Sequence, residues 1–357
     1  MKRSSEKPRV ILPRREVLKR GGAGVIGMFV AASSLTSLGT QAMSAENIRS
    51  NLKKISMADF NPNYAAQWSW RLAQGLGYME DVGIDEFEVF LTDEYMPGLI
   101  GGSVDIAHGD TSEFFGAGYA SGLPVKMLSL YRDKEWWIMG VKKGINSFED
   151  LRGGTITGGG LGGRNTWIMR QILKANGLDP DKDVEMVPMK GGSDGRLKAV
   201  LAGVVDGASM FPRHKSRLVE SGGKFISAEL TLAPQEGFGV MGSWLDGNED
   251  AAYAWVHADI KARQWLFNPK NKDRAYKIMQ DFGYDIPDEF VSMYDVELEQ
   301  ISPDGGWDNP KTMDDFVDGL KETQTLPADL NWRDYVDLKY LWAAQDALGL
   351  PRRPSSV

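Results

Sequence analysis

The 357 residues contain no cysteine. That excludes disulfides, thiolate metal sites, a cysteine nucleophile and a lipid-modified N-terminal cysteine. It also suits an oxidising compartment, where no thiol can mispair. Histidine is scarce: His108, His214 and His257 are the only three, and no H-E-x-x-H pairing occurs. A catalytic metal is therefore not expected. Carboxylates are plentiful, but none falls into a recognisable general acid/base spacing. Internal repeats and low-complexity tracts are missing. Beyond residue 42 no segment reaches the roughly 18 apolar residues of a membrane span.

A hydrophobic content of 42% and a charged content of 25% describe an ordinary globular protein long enough for two lobes. The N-terminus carries the sharpest signal. Pro13-Arg14-Arg15-Glu16-Val17-Leu18-Lys19 is a twin-arginine pattern followed by a mildly apolar, Gly- and Ser-diluted run over 21–39. Small residues around Ala42 suit signal peptidase. Residues 1–42 are expected to be a removable Tat signal, leaving a periplasmic, soluble, unlipidated chain. This segment holds eight Lys/Arg against two Asp/Glu, so its loss takes the net charge from −8 to −14. An acidic surface argues against nucleic acid or anionic lipid as partner.

Short β-branched or apolar runs alternate with helical patterns from Lys53 onward, which predicts an α/β protein with a mostly parallel sheet. Strands are predicted at 53–60, 87–91, 104–107, 124–130 and 135–141, then at 155–157, 184–188, 207–211, 224–227 and 237–242. Helices are predicted over most of the chain beyond residue 248. Ligands gather at the carboxyl ends of strands in such sheets. One junction stands out, Thr155-Ile156-Thr157-Gly158-Gly159-Gly160-Leu161-Gly162-Gly163-Arg164-Asn165-Thr166. Its glycines allow a ligand close to the backbone, the following helix offers N–H donors, and Arg164 adds a fixed charge. Turning a strand into a helix would need the same glycines.

Two rival motifs share this region. Gly158-x-Gly160-x-x-Gly163 is a dinucleotide fingerprint, with Glu185 near the spacing of a ribose partner, so an exported NAD(P)-dependent oxidoreductase is the alternative function. Its mid-chain position counts against it. Gly191-x-Ser193-x-Gly195 matches a nucleophile elbow whose histidine would be His214 or His257. The Pro188–Lys190 approach reads as a loop, which counts against hydrolysis.

Three segments carry a family resemblance: Gly101-Gly102-Ser103-Val104-Asp105-Ile106-Ala107, Ser147-Phe148-Glu149-Asp150-Leu151-Arg152-Gly153-Gly154-Thr155-Ile156 and Leu201-Ala202-Gly203-Val204-Val205-Asp206-Gly207-Ala208. With them, residues 53–270 resemble the periplasmic solute-binding proteins of ABC importers, within the NMT1/SsuA-like branch. The resemblance implies a type II two-lobed α/β fold with a hinge and C-terminal helices. Lobe one would comprise 46–138 and 241–357, and lobe two 139–240. It further implies a monomeric, non-enzymatic protein without cofactor or metal, working with an inner-membrane ABC permease. The glycine junction, Arg164 and Arg213 suggest a small solute with an anionic or polar head, such as a sulfonate, carboxylate or heterocycle, and the aromatics suggest an organic body.

By the same resemblance, cleft residues follow the strands. Lobe one would offer Asp59, Asn61, Tyr64, Trp68, Asp110 and Thr111. Lobe two would offer Gly160, Arg164, Asn165, Thr166, Ser193 and Arg213, and the hinge Trp136. Tyr64 and Trp68 stand at i and i+4, so as one helix face they would form either an aromatic wall or core. Asp110 could meet ligand donors, cap the helix beginning near Ser112, or do both.

Overall fold

The computed structural model describes residues 48–59, 64–92, 94–161 and 164–357. The expected signal segment and Asn61 lie outside them. Among the described residues, no helix is long and apolar enough to cross a membrane.

Among the described residues, eight strands form one sheet: β1 (Lys54–Asp59), β2 (Glu86–Leu91), β3 (Ile106–Asp110), β4 (Val125–Val141), β5 (Thr155–Gly159), β6 (Glu185–Pro188), β7 (Gly207–Met210) and β8 (Lys224–Met241). Their order is β2-β1-β3-β8-β4-β7-β5-β6. Each flank is parallel, β2-β1-β3 on one side and β7-β5-β6 on the other. The joints between flanks are antiparallel: β3 to β8, β8 to β4, and β4 to β7. The mostly parallel sheet expected from the strand–helix alternation is thus two parallel flanks sewn together by an antiparallel ribbon.

That ribbon departs most from the pattern of the sequence. The runs at 124–130 and 135–141 are one 17-residue strand, and those at 224–227 and 237–242 are one 18-residue strand. The charged stretch Tyr131-Arg132-Asp133-Lys134-Glu135 looks like a break between strands. In the fold Arg132, Asp133 and Glu135 are buried within β4 because opposite charges meet them there. Paired charges can stay in a ladder that isolated ones would leave.

Helices cover the sheet. Those used below are α1 (Ser69–Gly75), α2 (Tyr95–Ile100), α3 (Thr111–Ser121), α4 (Arg164–Ala175), α5 (Gly192–Leu201) and α6 (Gly242–Leu266). After α6 come α7 (Lys272–Asp281), α8 (Tyr294–Leu298) and α9 (Pro310–Glu322). The main core lies under the β1 flank, where Trp70 and Trp255 meet Phe238 edge-on at centroid distances of 5.2 and 4.7 Å. A smaller cluster of Ile138, Leu197, Val200, Val205, Met210 and Leu218 sits under β7 and α5. The C-terminal helices reach both flanks, since Phe316 of α9 packs edge-on against Trp167 of α4.

Candidate functional site: a charged cleft across the long strands

The strand ends Asp59, Asp110, Gly159 and Met210 terminate β1, β3, β5 and β7. A cleft of about 400 Å³ opens beside this region, and its floor is the middle of the β4–β8 ribbon. Tyr64, Gln67, Tyr95, Asp110, Glu113, Arg132, Arg164, Ser193, Phe211, Arg213, Gln235, Glu236 and Glu297 line it.

Asp110 closes β3 and opens α3. Its carboxylate accepts from the Ser112 backbone N–H at 2.8 Å, as an N-cap should. Its other oxygen faces Arg164 Nε at 3.3 Å, so cap and cleft roles coincide. Arg164 also pairs with buried Glu135 on β4. Burial works against the Arg164 charge, but Glu135 and Asp110 outweigh it and raise its pKa. Burial dominates at Glu135 and pushes that carboxyl upward.

A second cluster occupies the floor. Arg132 donates to both oxygens of Glu236 at 3.1 and 3.2 Å and lies 3.4 Å from Glu297 on α8. Burial would raise the Glu236 pKa, but Arg132 and His108 overcome it and hold the group well below the usual carboxylate range. Behind it, His108 bonds Asp59 through Nδ1 at 2.9 Å and Tyr131 through Nε2 at 2.8 Å, with Glu236 at 3.6 Å. Burial opposes protonation of His108, and these carboxylates more than offset it, so its pKa rises. Asp59 therefore stands behind the cleft, holding the histidine that backs Glu236.

Arg213 differs from the other two arginines. Its guanidinium donates to Ser193 at 2.6 Å and lies over the rings of Phe211 and Tyr64, at 4.9 and 5.4 Å. Among the described residues no carboxylate lies within ion-pair distance of it.

Of the residues expected from the sequence, Tyr64, Asp110, Arg164, Ser193 and Arg213 come together on the cleft wall. Trp68 does not: it is 1% exposed and packs edge-on against Tyr276. The i, i+4 face fails because Ala65–Gln67 is a 3-10 turn and α1 begins only at Ser69. Thr111 is fully buried in the first turn of α3. Trp136 packs against the small cluster under β7. Gly160 is exposed, Asn165 is half-buried, and Thr166 turns its hydroxyl back onto the Gly160 carbonyl at 2.7 Å, so none of the three lines the cleft.

The glycine junction has a packing explanation. A Cβ on Gly158 would lie 2.4 Å from the Thr166 backbone, so the strand must be bare where α4 crosses it. Gly159 takes φ +111°, which side chains resist. Gly162 and Gly163 lie outside the described residues. Glu185 sits at the exposed start of β6, paired with Thr155 at the start of β5. It is thus at the opposite strand end from the glycines, where it could not meet a ribose whose phosphates sat on them. Ser193 of the rival elbow bonds Arg213, while His214 pairs through Nε2 with Asp194 at 3.3 Å and accepts the Phe211 N–H. No serine–histidine pair forms there.

Gln67, Tyr95, Glu113, Arg132, Gln235, Glu236 and Glu297 line the cleft without having been singled out in the sequence. Arg132, Gln235 and Glu236 lie in mid-strand, where no loop signal marks them. Glu297 comes from a five-residue helix about sixty residues after β8, and Gln67 from the 3-10 turn.

Two α/β flanks hinged on a pair of long antiparallel strands, with a polar cleft across the hinge, are the type II two-lobed fold of periplasmic binding proteins. Residues 152–280 match the model of the NMT1-like family. The chain is 24% identical over 277 residues to the putative binding protein YtlA of Bacillus subtilis, covering 74% of this chain and 81% of that one. It is 30% identical over 185 residues to the nitrate/nitrite binding protein NrtA of Nostoc, half of this chain and 38% of that protein. A 28% identical stretch of 121 residues, 33% of this chain, matches the nitrate import ATP-binding protein NrtC of Synechococcus elongatus and spans 18% of it. Among solved structures, the periplasmic nitrate-binding protein NrtA of Synechocystis superposes with a TM-score of 0.65 at 17% identity, over 86% of this chain and 93% of that one. The sulfonate-binding protein SsuA of Methylobacillus flagellatus gives 0.65 at 16%, over 85% and 98%. The resemblance to NMT1/SsuA-like binding proteins thus holds in sequence and in fold.

Proposed function

We propose that this chain is the solute-capturing component of an ABC importer. It is exported by the Tat pathway, works as a periplasmic monomer without cofactor or catalysis, and hands its solute to an inner-membrane permease. The lobes are 46–138 with 241–357, and 139–240. One observation carries the reading: a cleft of about 400 Å³, of a size for a small organic solute, lies across the two long strands that join the flanks. Bending of that ribbon would open and close it. Of the contacts expected from the sequence, Tyr64, Asp110, Arg164, Ser193 and Arg213 are the ones proposed to touch ligand. Arg213, free of any carboxylate partner among the described residues, takes the acidic or polar head.

The test is to record mass spectra of the protein isolated from its periplasm, then small-angle scattering with and without the recovered solute. Capture predicts a solute released unchanged and a contracted particle when it is bound. Conversion of the solute to product would overturn the reading.

A further inference from the structure

The charges and hydrogen-bonding groups of the cleft do not balance, and the imbalance has one sign. Each of the two clusters joins one guanidinium to two carboxylates: Arg132 to Glu236 and Glu297, and Arg164 to Asp110 and Glu135. His108 does not correct the first, because its charge is matched by Asp59. Glu113, at the exposed mouth, bonds Tyr95 and has no cation within ion-pair distance among the described residues. Arg213 is in positive surplus, and so is buried Arg196 behind it, which lies beside Arg164 and Arg213 with no carboxylate in ion-pair distance among the described residues, so the carboxylates still outnumber the cations, by one.

The neutral groups lean the same way. Gln67 and Gln235, 1% and 5% exposed, each direct the amide NH₂ to Glu236 at 3.3 Å. A carboxylate can only accept, which fixes both amide orientations. Their carbonyl oxygens are left without a partner on the cleft wall. Arg132 Nε is the unpartnered buried donor among the lining residues. An unsatisfied buried acceptor is costly, so a wall holding two of them suits a ligand that donates.

We infer that the solute carries a protonated nitrogen, an ammonium or guanidinium group, directed at the Gln67 and Gln235 carbonyls and the surplus carboxylates, with its acidic or polar head at Arg213. The inference rests on the solute-capture reading and adds the second half of the ligand. Burial raises the Glu297 and Glu135 carboxyls despite the arginine beside each.

Matched probes decide it. Titration calorimetry compares propane-1-sulfonate with 3-aminopropane-1-sulfonate, and butyrate with 4-aminobutyrate and 4-guanidinobutyrate. In at least one series the nitrogen-bearing member should bind ten-fold or more tighter than its plain counterpart. Glu113→Gln should erode that advantage, weakening the nitrogen-bearing probe relative to its plain counterpart, and Gln235→Met should erode it further. Melting temperatures of both variants show that the fold is kept. Equal or tighter binding of the plain anions, lost in Arg213→Ala, would overturn the inference and leave solute capture standing. Failure of every probe to bind overturns the inference. A bound native solute without basic nitrogen does the same, whereas turnover of that solute strikes the capture reading instead.

Discussion

Arg164, the first residue of α4, reaches Asp110, the cap of α3, with Nε 3.3 Å from the carboxylate Oδ2. One residue follows β5 and the other ends β3, so the contact spans the two flanks of the sheet across the cleft. Glu135 on the shared strand β4 completes the bridge. The glycine junction therefore delivers its charge to the protein itself before any ligand arrives.

Removing Arg164 should cost stability before it costs affinity. Glu135 is 1% exposed and would lose its only ion-pair partner among the described residues. Breaking a buried pair from one side costs about 3–5 kcal/mol, whereas replacing both partners by apolar groups is far cheaper. Urea unfolding should show Arg164→Ala strongly destabilised and Arg164→Met with Glu135→Leu substantially restored. An Arg164→Ala protein as stable as the parent would refute the bridge.

Arg213→Ala should do the reverse. The guanidinium is half-buried and holds only Ser193 and two ring faces, so the melting temperature should move little. Affinity for the native solute should fall about ten- to a hundred-fold, the worth of a charge-assisted hydrogen bond of about 1.5–3 kcal/mol. Calorimetry on the solute recovered from the periplasm measures it, and undiminished affinity would remove Arg213 from the site.

His214 gives the stability a pH dependence. Burial and neighbouring Arg213 pull its pKa down from 6.5 to about 4. The unfolded chain then takes up a proton that the folded one refuses, so this group's contribution to stability is full above pH 6.5 and is lost as pH falls toward 4. His214→Asn keeps an acceptor for the Phe211 N–H and should flatten the slope in that window. Thermal unfolding from pH 4 to 7 compares the two, and parallel curves would contradict the assignment.

Gly158→Ala should disturb α4 from behind. The added methyl meets the Thr166 backbone at 2.4 Å, and backbone cannot swing aside as a side chain can. A loss of about 1–3 kcal/mol is expected, with weaker solute binding because Arg164 rides on the displaced turn. Denaturant titration and calorimetry on one sample read both effects.

NADH should leave the melting temperature unchanged, and Glu185→Ala should change neither stability nor solute binding, because Glu185 lies exposed at the far end of its strand from the glycines. Stabilisation by NADH, abolished in that variant, would reinstate the dinucleotide reading.

The cleft was legible in the sequence only where a residue follows a strand. Asp110 ends β3, while Tyr64, Arg164, Ser193 and Arg213 come soon after β1, β5, β6 and β7, and topology brings such positions together. Trp68 was misplaced by local geometry, since one 3-10 turn rotates it from the Tyr64 face into the core. Arg132, Gln235 and Glu236 were out of reach because nothing local separates a buried charged mid-strand residue from a charged loop.

By itself the sequence determined the α/β alternation, the strand-end loops and an acidic chain without thiol chemistry, because these follow from periodicity and composition within a dozen residues. Only the tertiary structure decided that four apolar runs would merge into two hinge strands and that Glu297 would meet Arg132. It likewise turned Arg164 inward to Glu135 and left Arg213 to face the cleft. Those outcomes depend on which opposite charges meet once the chain is folded. Partners some 30 to 165 residues apart supply the pairing that lets a charge stay buried, and no local pattern records them.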